Sequence, residues 1–144
     1  MRLLVGTHNR GKLAEIKTVL GAVADEILSL GNFPLSATPF ENASSYSENA
    51  AIKATSYALQ TGLLTLADDS GLEVEALNWE PGVLSARYAG EGASDAERRV
   101  LLLSEIMTVE SENRHARFVC GSYCGTGWHG GQSQRRCLQR QDHR

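Results

Sequence analysis

The chain has 144 residues, of which 42% are hydrophobic and 22% charged, and a formal charge of −3. That suffices for one domain, or part of one, with a real core. The acidic balance excludes a general nucleic-acid footprint, which needs a basic face, and no run of about 18 apolar residues exists to cross a membrane. The odd set Cys120, Cys124 and Cys137 argues against a disulfide framework and predicts a reducing, cytoplasmic setting. No signal peptide is predicted, because a strand-like segment follows Met1.

In chain order, Leu3-Leu4-Val5 reads as a short buried strand closed by Gly6. Arg10 to Leu20 follows, with Leu13, Ile16 and Leu20 on one helical face and Gly21 as the stop. Glu26 to Leu30 reads as a second strand, and Gly31 to Phe40, with Pro34 and Pro39, as a loop. Ser45 to Glu48 forms a capping-box pattern before an Ala-rich helix that Gly62 ends. Leu63 to Ala67 reads as a buried strand running into a turn at Asp68-Asp69-Ser70-Gly71. A turn around Pro81 and a polar loop from Ser85 to Gly92 come next. Ser94 to Glu97 is a second capping box, and the helix after it aligns Val100, Leu103 and Met107. Arg117 to Cys120 begins another strand. Strands alternating with helices predict an α/β domain.

Gly6 to Leu13 lies between a strand and a helix, and its Gly6…Gly11-Lys12 spacing approaches a phosphate-binding P-loop. A helix N-terminus and a lysine suit an anion. Leu13, however, stands where a P-loop carries the hydroxyl that ligates Mg²⁺. On spacing alone, the glycines either cradle phosphate or only shape the turn. Asp68 and Asp69 end an apolar strand, where α/β sheets gather ligands, and oxygen ligands there suit Mg²⁺. The alternative is a solvated turn. Glu48 is either the capping partner of Ser45 or a metal ligand; Asn49 and Lys53 share a helix face that either meets a phosphate or meets solvent. Arg87-Tyr88 either grips a phosphate or anchors its loop.

Together these segments resemble the inosine triphosphate pyrophosphatase family, the nonstandard purine NTP pyrophosphatases. Thr7 to Lys12, Ser47 to Ala50 with Lys53-Ala54, Ala67 to Leu72, and Pro81 to Tyr88 with Gly90 match in order and spacing. The resemblance implies an elongated mixed α/β sheet with flanking helices, a homodimer, and Mg²⁺-dependent hydrolysis of ITP, dITP and XTP to the monophosphate and pyrophosphate. It implies that Thr7, His8, Asn9, Arg10, Gly11 and Lys12 cradle the triphosphate. Glu48 and Asp69, and less so Asp68, would hold Mg²⁺. Asp69 would also accept the proton of the attacking water, Ser70 would contact substrate, and Asn49, Lys53 and Arg87 would assist. Two other readings are a Maf-like nucleotide pyrophosphatase, against which Ser85-Ala86-Arg87-Tyr88 argues, and a nucleotide-binding module without turnover. A fragment acting through its basic tail is a further reading.

The composition breaks at Cys120. Residues 1–120 carry ten Lys/Arg and sixteen Asp/Glu, while residues 121–144 carry four Arg, no Lys and one Asp. The family's later strands and base-reading loop have no counterpart there. Residues 1–120 therefore read as the N-terminal part of a single α/β domain lacking its later strands, and residues 121–144 as an irregular, non-family tail, either disordered or out-of-frame. Codons can be chosen for that tail which, read one nucleotide later, spell strand, Asp-Gly turn and strand, as a frameshift would. Poor solubility and weak or absent turnover are the expectations. Metal binding by Cys120, Cys124, His129 and Cys137 does not follow a standard zinc spacing.

Overall fold

The computed structural model describes residues 1–126, and the backbone alone for residues 137–143. His129 and the rest of residues 127–136, with residue 144, lie outside the described residues. The elements are strand β1 (Arg2–Val5), helix α1 (Arg10–Leu20), β2 (Glu26–Ser29), α2 (Tyr46–Thr61), β3 (Leu64–Val74), α3 (Asp95–Glu105), β4 (Ala116–Gly125) and β5 (Cys137–His143). The strands form one sheet in the order β2-β1-β3-β4-β5. The α/β class is as expected. The chain divides into two compact units, Met1–Asp69 with Gly121–Gln139, and Ser70–Cys120 with Arg140–Arg144.

In the first unit, β1 pairs in parallel with β2 and with β3, setting Leu3 beside Leu64 and Val5 beside Leu66. Parallel neighbours need a crossover, and α1 supplies one between β1 and β2. Its start is sequence-coded: Asn9 Oδ1 accepts the Gly11 and Lys12 N–H groups at 2.8 and 3.2 Å. Helix α2 begins at Ser45, whose hydroxyl accepts the Glu48 N–H at 3.3 Å, and ends at Gly62, which turns left-handed at φ 71°. The core gathers Leu4, Leu30 and Tyr57, with Leu28, Phe33, Leu35 and Leu63 packed around them.

Ala50, Ala54 and Ala58 are fully buried along one stripe of α2. Their small side chains let the sheet approach closely. The glycines of β4 extend this: a Cβ on Gly121 would stand 2.8 Å from the Ser47 nitrogen, and one on Gly125 3.1 Å from the Ala54 carbonyl carbon. The compositional break at Cys120 is therefore not a break in the strand, since β4 runs on to Gly125. The tail is also not wholly irregular, because the backbone of β5 is extended and paired.

In the second unit, Ser85 ties the Pro81 turn to β3, accepting the Leu72 N–H at 2.9 Å and donating to the Gly82 carbonyl at 2.6 Å. Asn78 and Trp79 both hold positive φ, 55° and 68°. The Trp79 ring lies under the Arg117 guanidinium, 4.3 Å away, and Arg117 also pairs with Glu73 at 2.6 Å. The Ser94–Glu97 capping box forms in full. The face carrying Val100, Leu103 and Met107 is exposed, while Ile106 just past the helix is buried.

Asp68-Asp69-Ser70-Gly71 is not a turn: β3 runs through it to Val74. Local turn propensity is overridden by pairing within the sheet.

Candidate active site

Strand pairing builds the site in the first unit. The Gly6 N–H donates to the Leu66 carbonyl at 2.7 Å, so the loop leaving β1 starts beside the residues that precede Asp68. Gly6 fits closely there: an added Cβ would meet the Tyr57 ring at 3.0 Å and Ala67 at 3.3 Å. Thr7, His8, Asn9 and Arg10 line a cleft of about 380 Å³ with Ser29 and Gly31. Within the loop, Thr7 Oγ1 accepts the Asn9 N–H at 3.2 Å. Asn9 thus turns two N–H groups of the helix start inward to its own carboxamide. His8 meets the Tyr57 ring edge-on, with Nε2 3.4 Å from the Tyr57 hydroxyl. Burial, and after it the charge of Glu41, pushes the Tyr57 phenol above its ordinary range, so it stays protonated.

Because Asp68 and Asp69 lie in a strand, their side chains alternate, and different lysines take them. Asp68, 8% exposed, pairs with the Lys12 ammonium. Asp69 is held from α2: Asn49 Nδ2 donates to Oδ2 at 3.1 Å, and Lys53 Nζ lies 3.3 Å from Oδ1. Asn49 is 1% exposed and accepts the Ala43 N–H at 3.0 Å. Lys53 also pairs with Glu41 at 2.8 Å. The structure thus sets two ion pairs on neighbouring residues of β3, Lys12 with Asp68 and Lys53 with Asp69, and Asn49 is a neutral donor to the second. A buried charge of this kind persists because it is paired.

Glu48 is exposed on the first turn of α2, where its carboxylate accepts from the Ser45 hydroxyl at 3.0 Å. Sequence reasoning did not single out Glu41. It sits in an aperiodic loop, and only the lysine it shares with Asp69 points to it. Tyr57 was likewise hidden as an ordinary core aromatic. Ser70 and Arg87 belong to the second unit. There the Tyr88 hydroxyl bonds Glu105 of α3, which is the loop-anchoring arrangement. Cys124 is a free thiol. Among the described residues, no group of three or more His, Cys, Asp or Glu forms a metal cage, and no helix is long and apolar enough to cross a membrane.

A sequence profile of the Ham1 family matches residues 3–137. The chain is similar to the dITP/XTP pyrophosphatase of Corynebacterium efficiens, 48% identical over 122 residues that cover 83% of this chain and 59% of that protein. It is similar to the dITP/XTP pyrophosphatase of Geobacter sulfurreducens, 49% identical over 119 residues, 83% of this chain and 60% of that one. Among solved structures, a HAM1 protein from Coxiella burnetii superposes with a TM-score of 0.74 at 38% identity, over 86% of this chain and 62% of that one. A nucleoside-triphosphatase, dITP/XTP pyrophosphatase, from Mycobacterium abscessus gives 0.75 at 38% identity, over 98% and 72%. The chain spans about three fifths of the length of the curated relatives it matches.

Proposed function

The chain belongs to the Ham1 family, and from that premise we propose that it is a nucleoside triphosphate pyrophosphatase acting on nonstandard purine nucleotides. ITP, dITP and XTP would be hydrolysed to the monophosphate and pyrophosphate. The observation that carries this reading is the pairing of Lys12 with Asp68 and of Lys53 with Asp69, together with a cleft at the start of α1 lined by Thr7, His8, Asn9 and Arg10. Two ammonium groups and a helix start suit a polyphosphate, and the carboxylates suit water activation.

A divalent cation, Mg²⁺ in this proposal, fits the donors present. Mg²⁺ is usually held by one or two carboxylates together with substrate phosphate oxygens. Asp69 and Glu41, gathered around one ammonium, supply such oxygens; Glu48 and Asp68 are the further carboxylates of the region. When bound, the ion would neutralise phosphate charge. The chain's own residues do the rest. Lys12 and Lys53 move from carboxylate to phosphate oxygens, and Thr7 to Arg10 position the chain of phosphates. Asp69 accepts a proton as a water oxygen bonds to the α-phosphorus, and the bond from that phosphorus to the bridging oxygen breaks. Pyrophosphate leaves with that oxygen.

The homodimeric state and the cytoplasmic setting remain part of the same proposal. So does the division of the chain, with residues 1–120 as the N-terminal part of one domain and 121–144 as an out-of-frame tail; sequencing the gene across codons 118–144 tests it. For the chemistry, pyrophosphate release is measured at high protein concentration with ITP and with ATP. Slow, Mg²⁺-dependent release from ITP, lost in Asp69→Asn, is expected. Release that is equal for ATP, or indifferent to Asp69→Asn, overturns the assignment. Binding of nucleotide without any release favours a binding module.

A further inference from the structure

Lys53 sits between carboxylates from two different elements, with only 14% of its side chain exposed. Glu41 Oε2 lies 2.8 Å from its nitrogen and Asp69 Oδ1 3.3 Å. The two oxygens of Asp69 are not equivalent. Oδ2 accepts from Asn49, which is fully buried and anchored to the backbone of Ala43 at 3.0 Å. That oxygen is fixed by packed, uncharged structure. Among the described residues Oδ1 is held by the ammonium alone, which ends a flexible four-carbon stem. Of the two Asp69 oxygens, the one that Lys53 occupies is therefore the one able to change partner.

An ammonium and a divalent cation compete for the same carboxylate oxygens. Displacing a buried ammonium without giving it another anion strands a charge. We propose that Lys53 is the resident counter-cation of the Glu41–Asp69 pair, and that it keeps divalent metal out until a polyphosphate draws the ammonium away. Metal then enters with the nucleotide and not before it. This inference rests on reading the neighbouring cleft as a triphosphate site. The coupling is reciprocal: a metal that needs the polyphosphate also tightens its binding.

The test measures Mn²⁺ alone, by the loss of its free electron paramagnetic resonance signal, against the whole chain with no nucleotide present. Lys53→Met is expected to bind Mn²⁺ at least about tenfold more tightly than the unaltered chain, within the usual span of coupling between sites. Lys53→Arg, which keeps the charge, stays at the unaltered level, and adding Asp69→Asn to Lys53→Met removes the gain. Unchanged or weaker Mn²⁺ binding by a folded Lys53→Met overturns the proposal. The unaltered chain supplies a second measurement should that variant not fold. The ¹⁵N signal of the Lys53 ammonium is expected to stay in place with Mg²⁺ alone and to move with metal-free inorganic tripolyphosphate. Displacement by Mg²⁺ alone overturns the proposal. If Lys53→Met gains Mn²⁺ affinity but tripolyphosphate does not bind, the counter-cation role stands and the triphosphate reading of the cleft falls.

Discussion

Asn49 donates a hydrogen bond to Asp69 Oδ2 at 3.1 Å and accepts one from the Ala43 N–H at 3.0 Å, so one buried carboxamide links a strand carboxylate to the loop before α2. Asn49→Ala strips both contacts and leaves a backbone donor without its acceptor. A loss of about 1–3 kcal/mol in urea unfolding is expected, the usual penalty for an unsatisfied buried polar group. No change would mean that water replaces the carboxamide.

Gly6 is buried between β1 and the Tyr57 ring, with 3.0 Å available to an added Cβ. Gly6→Ala is expected to overpack the junction and destabilise the chain by about 1–3 kcal/mol. Because the obstruction is a side chain, Tyr57→Leu in the same chain recovers part of the loss. Equal additive losses in the two single variants and the double variant would remove Tyr57 from the explanation.

A Cβ added at Gly121 would stand 2.8, 3.0 and 3.1 Å from backbone atoms of α2, which cannot rotate aside, whereas one at Gly125 would stand 3.1 to 3.3 Å from them. Both Ala substitutions destabilise, Gly121→Ala the more, by about 1–3 kcal/mol in urea unfolding. Two silent substitutions would show that residues beyond Cys120 contribute nothing to the fold.

Burial, the hydrogen bond to Glu105, and the charges of Glu105 and Glu80 push the Tyr88 phenol from 10.0 up to about 12. The folded state thus keeps its proton at a pH where the unfolded chain loses it. Its contribution is fully present below about pH 10 and is lost as pH rises towards the folded value. Tyr88→Phe should remove a step near pH 12 from an ultraviolet titration of the tyrosines. The stability difference between the two proteins should shrink over that window; a constant difference would contradict the assignment.

Short-range chemistry was legible in the residues alone. Helix α1 spans Arg10–Leu20 as its periodicity and Gly21 foretold, Gly62 ends α2, and the Ser94–Glu97 box opens α3. These features depend on groups within one helical turn, so neighbours in the chain suffice to specify them. The Lys12 and Asp69 motifs were likewise visible as residue types in order. What tertiary structure alone decided depends on partners distant in the chain. Strand β3 continues through Asp68-Asp69-Ser70-Gly71, where local composition favours a turn, because a strand's extent is set by what it pairs with. That alternation sends Asp68 to Lys12 and Asp69 to Asn49 and Lys53. Glu41 enters the site through a shared lysine that no spacing announces. The strand beyond Cys120 packs on α2 because glycine permits backbone contact, a property of the fit between two surfaces and not of composition.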